Sequence, residues 1–387
     1  MFRFLLLIIA LITYGSLYPF KFSGQHPEIT ETLSWLLNVS LHTTRSDIIA
    51  NILLFVPYGF VARFYINSHK KRFQSAVWVV IFGGLLAFTL QYLQFFLPAR
   101  VPSSGDALFN VFGIIIGLIF SHLLTQYSHN HIPNAQSRQV SWSQVSIPLL
   151  LALIWVGWRW FPYMPLVATE SILNSLNPLI NKPQLDFVSI IRDGIGWLMF
   201  FYLISQPPFD KQPRFRVLKI AFYILAIELF IINNEITVND LLAALGAFAL
   251  YASMHFSAIE KMLGWGVALG IVLIWLSPFS LADPLHGFNW IPFHSLMKGN
   301  PWLNAELILL KIYFVSAMIY LFQRRRIDYG LATILCMALV FPITISQLLI
   351  GSSTPDITDT FMVAVIGWAM YQVDKLASDE RTLAMNS

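Results

Sequence analysis

Long apolar runs, separated by short segments rich in proline, glycine or charge, recur along the whole chain. A helix needs roughly 20 apolar residues to cross a hydrocarbon core of about 30 Å. The pattern therefore predicts an all-α, polytopic transmembrane bundle of about twelve helices, several short enough to tilt or merge. The predicted spans lie near residues 2–19, 50–66, 75–97, 106–125, 145–161, 186–205, 217–233, 239–256, 262–279, 304–322, 330–350 and 357–373.

The first of these runs could also be a cleaved secretory signal, because Arg3 precedes its apolar part. The residues that follow, Leu17 to Phe20, are bulky and offer no small-residue cleavage site. Similar segments recur twice later in the chain, where no signal can stand. We therefore predict an uncleaved first helix.

Basic residues are concentrated on alternate connections between the predicted spans. With the N-terminus inside, the three dense clusters fall on the cytoplasmic side, as the positive-inside rule expects. These clusters lie within residues 70–72, 211–219 and 324–326. We expect both termini to be cytoplasmic, with residues 376–387 as a cytoplasmic tail.

Composition agrees with a membrane protein. Hydrophobic residues make up 57% of the 387 positions and charged residues 11%, against roughly a quarter charged in soluble domains. Mean hydropathy is +0.65. The net charge of +4 is explained by the cytoplasmic clusters, so we expect no nucleic-acid partner. The single cysteine, Cys336, has no partner for a disulfide or zinc site, and we expect neither cofactor nor metal.

The basic clusters recur every 120 to 140 residues, which indicates an internal repeat. A stronger signal is one spacing: Gln94 precedes Asp106 by twelve positions, and the pairs Glu228/Asp240 and Gln347/Asp359 repeat it. The sequence predicts three parallel four-helix repeats, in residues 1–125, 140–256 and 260–375. Four spans per repeat give every copy the same orientation across the membrane.

Polar residues cluster at the predicted outer ends of the helices. In the first repeat, Gln91 and Gln94 share a helix face, and Asp106 and Asn110 share another. Amides and guanidinium groups recognise polar or anionic headgroups, because they pair with phosphates, carboxylates and hydroxyls. The candidate ligand-binding residues are Asn51, Gln91, Gln94, Arg100, Asp106, Asn110, Glu228, Asp240, Gln347 and Asp359.

A purely structural role is equally open for many of these residues. An aspartate in a first helical turn caps backbone donors, and a glutamine in hydrocarbon needs a bridging partner. Glu228 lies within a span, where an ionisable group usually marks a site or a buried pair, with Arg192 or Asp193 as possible partners. Lys311 raises the same question, because its spacing from Glu306 is poor for pairing.

No common catalytic motif is present: the chain has no Walker loop, no zinc-type histidine pair and no Gly-x-Ser-x-Gly elbow. An enzyme acting on lipid headgroups remains an alternative, with Glu228, Asp240 or an outer-loop histidine as general base. The outer-loop histidines are His26, His42, His286 and His294. A third possibility is a scaffold for envelope polysaccharide assembly, in which the polar residues only hold helices together.

The first repeat resembles the VanZ-like family, named for a protein associated with teicoplanin resistance in bacteria. The resemblance rests on the segment Asn51–Phe60 and on the set Gln94, Arg100, Asp106, Asn110 and Gly113. Gln91 stands where the family commonly has a glutamate. In the third repeat the segment Phe288–Phe293 is similar to a family loop, while Val363 replaces the asparagine that follows the aspartate.

The resemblance implies a protein of the bacterial cytoplasmic membrane with a cell-envelope role, but it implies no settled reaction. Together with the polar clusters, it favours a non-enzymatic protein that binds or moves a membrane lipid or a lipid-linked envelope precursor at the outer leaflet. A link to glycopeptide resistance is an association of the family.

Overall fold

Helices make up nearly all the regular structure in the computed structural model of the chain. The structure describes residues 2–23, 28, 30, 32, 34–35, 45–66, 72–98, 100–131, 147–165, 169–181, 183–206, 213–232, 234–281, 287–293, 301–350 and 355–385. Within these ranges there are thirteen α-helices and one short 3₁₀ turn, Gln94–Phe96. The all-α prediction is confirmed.

The helices are numbered in chain order. They are α1 Phe2–Leu17, α2 Arg45–Ile66, α3 Arg72–Leu93, α4 Ser104–His131, α5 Ile147–Arg159, α6 Thr169–Ile180, α7 Phe187–Leu203, α8 Arg214–Glu228, α9 Val238–Ser253, α10 Phe256–Leu276, α11 Pro301–Arg324, α12 Tyr329–Ser346 and α13 Thr358–Met385.

Each of the twelve predicted spans coincides with one of these helices, and α6 is the additional one. Among the described residues, five segments are long and apolar enough to cross a membrane. They are Ala76–Phe96, Ser104–Leu123, Phe256–Leu276, Asn304–Arg324 and Tyr329–Ser346. Shorter apolar helices cover Arg3–Leu17, Ile147–Arg159 and Val238–Ser253. The chain is therefore a multi-pass membrane protein.

The chain divides into two units, each described by itself. The first unit contains residues up to 144 together with those from 375 onward, and the second contains residues 145–374.

A glycine seam holds α2 against α4 in the first unit. A Cβ atom at Gly113 would strike the Ile52 carbonyl, and one at Gly117 would strike the Val56 carbonyl. On the facing helix, Gly59 is blocked in the same way by Ile114. Backbones can approach this closely only where side chains are absent, which is the usual role of small residues between membrane helices.

The second unit has a single continuous hydrophobic core that runs from α5 to α13. Its largest fully buried side chains include Trp155, Trp197, Trp275 and Tyr313. Trp155 packs against Tyr313 with ring centroids 4.9 Å apart, and the Tyr313 hydroxyl donates to the Gly196 carbonyl. The predicted second and third repeats, which supply these residues, therefore share one core.

A tight turn recurs after α1, α5 and α10. In each case a cis X-Pro bond, at Pro19, Pro162 or Pro278, is followed by a residue with φ between 59° and 62°. The N–H of that residue donates to the carbonyl two residues before the proline, at 2.7 to 2.9 Å. The turns differ in sequence but have the same backbone geometry.

Candidate functional site

In the first unit, polar side chains from the 3₁₀ turn after α3 and from the connection to α4 hydrogen-bond to the C-terminal end of α1. The Gln94 Nε2 amide donates to the Ser16 carbonyl at 3.1 Å, and Arg100 donates to the Gly15 carbonyl at 3.3 Å. The last carbonyls of a helix lack intrahelical partners, so these bonds satisfy them. Burial lowers the pKa of Arg100 from its ordinary value, and the guanidinium stays charged at neutral pH. Gln94 therefore bridges to α1, which is the structural alternative that the sequence left open for it.

The start of α4 is held by side-chain hydrogen bonds. The Gln91 Oε1 atom accepts from the Ser103 N–H at 3.2 Å, and the Ser103 hydroxyl accepts from the Asp106 N–H at 3.3 Å. Gln91 is buried. Both bonds satisfy backbone donors at the beginning of a helix, as capping does elsewhere.

Two oxygens on α4, one within this cap and one a turn beyond it, have no hydrogen-bond partner among the residues that the structure describes. Asn51 on α2 lies close enough to interact with the Asp106 carboxylate, yet the Asp106 Oδ1 atom and the Asn110 Oδ1 atom are both buried and unpartnered in the described part of the chain. Asn110 is only 3% exposed. Leaving such an acceptor unpaired costs about 1–3 kcal/mol, so these two atoms are available to a donor from outside the chain.

In the second unit, Arg159 at the end of α5 joins Glu228 and Asp240. Its guanidinium makes two bonds to the Glu228 carboxylate, both at 2.6 Å, and one to Asp240 at 2.8 Å. All three residues are buried. Asp240 also completes a capping box with Thr237 at the start of α9, which agrees with the structural alternative left open for the aspartates.

This arrangement corrects the partner proposed for Glu228. The sequence suggested Arg192 or Asp193, but these two residues pair with each other, with Arg192 Nε and Asp193 Oδ1 2.7 Å apart. Sequence reasoning missed Arg159, although an arginine at the end of an apolar run is itself an expensive residue that needs a partner. A carboxylate paired to a guanidinium in this way is poorly placed to act as a general base.

A cavity of about 230 Å³ lies beside this ion pair. Its lining is mostly polar and draws on α5, α7, α8, α9 and α11. The lining residues are Trp158, Arg159, Phe161, Arg192, Asp193, Glu228, Asn234, Glu235, Asp240 and Glu306. We call it the second-unit cavity.

A related cluster stands where α10, α11, α12 and α13 meet. Asp359 accepts from the Trp275 indole N–H and from the Lys311 ammonium, both at 2.7 Å. The ammonium also lies 4.5 Å from the Trp275 ring centroid. Gln347 donates to the Trp275 carbonyl and so bridges two helices, the structural alternative that the sequence left open for it. Lys311 is therefore paired with Asp359, and Glu306 lines the cavity instead.

The loop segment that resembles the family packs near this cluster. The Asn289 backbone exchanges hydrogen bonds with Pro355 and Ile357, and the Phe293 N–H donates to the Thr358 hydroxyl at 2.6 Å. These contacts fix the loop at the beginning of α13, the helix that carries Asp359.

The same position of the first helix is used in all three clusters. Ser16, Arg159 and Trp275 each lie three residues before the proline of the recurring turn. The backbone carbonyls of Ser16 and Trp275 accept from the side-chain amides of Gln94 and Gln347, respectively. Arg159 instead binds Glu228 through its side chain. Trp275 and Arg159 also reach the aspartate of the fourth helix.

Among the described residues, no group of three or more histidine, cysteine, aspartate or glutamate side chains is placed to hold a metal ion. The outer-loop histidines His26, His42, His286 and His294 lie outside the described residues.

Comparison with known proteins gives one match. No curated protein and no solved structure matches the chain. The model of the VanZ/LLP1 family matches residues 2–125, which contain α1 to α4 up to residue 125 and the cluster around Asp106 and Asn110. The match thus covers the first third of the membrane protein, and residues 2–125 are called the VanZ/LLP1 domain below.

Proposed function

We propose that the VanZ/LLP1 domain binds the polar headgroup of a membrane amphiphile, either a lipid or a lipid-linked saccharide of the bacterial envelope. The observation that carries the proposal is the pair of buried, unpartnered acceptor oxygens on Asp106 and Asn110. Buried polar groups are nearly always hydrogen-bonded. A ligand that supplies two donors satisfies both atoms and recovers the cost of leaving them unpaired.

The chemistry of the cluster favours hydroxyl or N–H donors on the headgroup. Both orphan atoms are acceptors, and Asp106 is anionic when ionised, so a phosphate placed directly against them is repelled. Arg100 is engaged with the Gly15 carbonyl on the α1 side. A sugar or an amine therefore suits the two oxygens better than the purely anionic group expected from the sequence.

The remaining candidate residues belong to related clusters in the second unit. We propose that residues 140–256 and 260–375 are diverged copies of residues 1–125, with parallel orientation and both termini cytoplasmic. The recurring turn and the shared use of Ser16, Arg159 and Trp275 support this relation. Sequestering or moving an envelope amphiphile is also a route by which such a protein affects glycopeptide susceptibility.

The test is retention of envelope amphiphiles by protein extracted in native nanodiscs and analysed by mass spectrometry. Asn110→Ala removes one orphan acceptor, so we expect lower retention together with unchanged or higher thermal stability. Asn177→Ala is the matched control, because this exposed amide on α6 gives the same gain in helix propensity without touching the cluster.

A scaffold role for Asn110 predicts the opposite pair of results. The variant then melts at a lower temperature and retains the same amphiphiles as the unaltered protein. A change in the mass of any retained lipid during incubation supports the enzymatic alternative instead.

A further inference from the structure

The second-unit cavity has a strong excess of negative charge. Its lining contains two guanidinium groups and five carboxylates, which gives a formal charge of −3. Arg159 is neutralised by Glu228 and Asp240, and Arg192 by Asp193. The two carboxylates left over, Glu235 and Glu306, are exposed at the cavity, and no ion pair involves them within the described part of the chain.

The negative charge of the cavity determines which charge a ligand can carry there. A cavity with low-dielectric walls focuses its field and concentrates ions of opposite charge. The guanidinium groups that would attract a phosphate are already paired to carboxylates at 2.6 to 2.8 Å. The group that enters beside Glu235 and Glu306 must therefore carry positive charge.

A second, apolar pocket lies in the same unit and is called the groove below. It has a volume of about 340 Å³ and is lined by α7, α9 and α10. The lining residues are Ile190, Ile191, Gly194, Ile195, Leu198, Leu242, Ala243, Gly246, Ala247, Leu250, Met262, Leu263, Gly266 and Leu269. A Cβ atom added at Gly246 would meet nothing within 4 Å, so the groove is open at this point.

The groove and the cavity share two helices. Along α7 the groove residues Ile191 and Gly194 precede and follow the cavity residues Arg192 and Asp193, and since successive helical residues point about 100° apart, the two pockets lie on opposite faces of this helix. On α9 the cavity residue Asp240 precedes the groove by one turn or less. A helix with its side chains is about 10 Å across. A charged group in the cavity and a hydrocarbon chain in the groove are thus within the reach of one lipid molecule.

The geometry points to a lipid-binding site in the second unit, with an ammonium-bearing headgroup in the cavity and an acyl chain in the groove. This inference is independent of the function proposed for the first unit. The groove runs along α10, one of the helices able to cross the membrane, so its apolar wall faces a ligand that the bilayer supplies. At about 30 Å³ per water-sized group, the cavity admits roughly eight such groups, which is ample room for the ethanolammonium end of a lipid headgroup.

The experiment compares lipids that differ only in headgroup. The full chain is placed in nanodiscs containing equal amounts of phosphatidylethanolamine and phosphatidylglycerol, and the retained lipid is measured by native mass spectrometry after partial delipidation. We expect at least a fivefold preference for phosphatidylethanolamine. The double variant Glu235→Gln/Glu306→Gln should abolish the preference, whereas Glu28→Gln, an exposed acid of the first unit, should keep it.

The groove is tested separately. Gly246→Phe places a large ring in the groove at a point where nothing lies within 4 Å of an added Cβ atom, so the variant should fold but retain neither lipid. Gly246→Ala adds only a methyl group and should retain lipid normally. A further measurement adds free phosphoethanolamine as a competitor for the retained phosphatidylethanolamine. Weak displacement of the lipid shows that the acyl chain contributes to binding. Equal retention of the two lipids by the unaltered protein, or full competition by free phosphoethanolamine, overturns the inference.

Discussion

Replacing Arg159 by methionine should destabilise the second unit more than any other single charge removal in it. Methionine keeps most of the side-chain length and removes the cation from between Glu228 and Asp240. These carboxylates are 2% and 8% exposed, so neither gains full hydration when the guanidinium is removed. Breaking a buried ion pair by removing one member costs about 3–5 kcal/mol, and we expect a loss in this range for Arg159→Met.

A double-mutant cycle measures the energy of this pair, and its second substitution is Glu228→Gln. Glu228 is chosen over Asp240 because Asp240 retains bonds from the Thr237 N–H and hydroxyl when Arg159 is absent. Glu228 accepts two bonds from the guanidinium and has no comparable support. The double variant Arg159→Met/Glu228→Gln removes both charges together. It should be more stable than Arg159→Met alone, with a coupling energy of at least about 2 kcal/mol.

The measurement is reversible unfolding in mixed micelles, followed by tryptophan fluorescence. Trp158 and Trp197 lie 5.4 and 5.9 Å from the Arg159 guanidinium carbon, so they report on this region. Arg324→Met is the control, because its contact with Glu260 is longer, at 3.8 Å, and 44% exposed on the arginine side. An exposed pair contributes at most about 1 kcal/mol. A loss for Arg159→Met no larger than that of the control would refute the reasoning.

Two further predictions concern helix contacts and use the same unfolding assay. Gln94→Leu and Gln347→Leu each remove one amide donor to a helix-end carbonyl, so each should lower the free energy of unfolding by about 1–2 kcal/mol. A loss in only one of the two variants would argue against equivalent roles. Gly117→Ala should lower the free energy of unfolding by about 1–3 kcal/mol, because the added Cβ atom meets the backbone of Val56. Gly84→Ala, whose Cβ lies at an ordinary 3.5 Å from its nearest neighbour, should be tolerated, and equal losses in the two would contradict the seam.

Most of the fold could be predicted because long apolar runs have few alternatives in a membrane. The exception is α6, Thr169–Ile180. Twelve residues give a helix of about 18 Å, too short to cross. It has polar residues on one side and exposed Leu173 and Ile180 on another, so its sequence resembles a loop when only hydropathy is considered.

The composition of the polar clusters was harder to predict than their positions. The spacing of Gln94, Glu228 and Gln347 from their aspartates located the third and fourth helices of each cluster. The contribution of the first helix was hidden, since Ser16, Arg159 and Trp275 share no side-chain chemistry. Two of them act through a carbonyl, which every residue possesses. A contact made by the backbone leaves no signature in a single sequence.

The glycine seam also restricts how the VanZ/LLP1 domain can open. Where Gly113 and Gly117 meet α2, main chain touches main chain, and no side chain can change rotamer to let one helix slide past the other. We therefore expect α2 and α4 to move together as one rigid pair. For the ligand proposed at Asp106 and Asn110, we expect entry by displacement of α1 or α3, which the bonds from Gln94 and Arg100 to the end of α1 oppose.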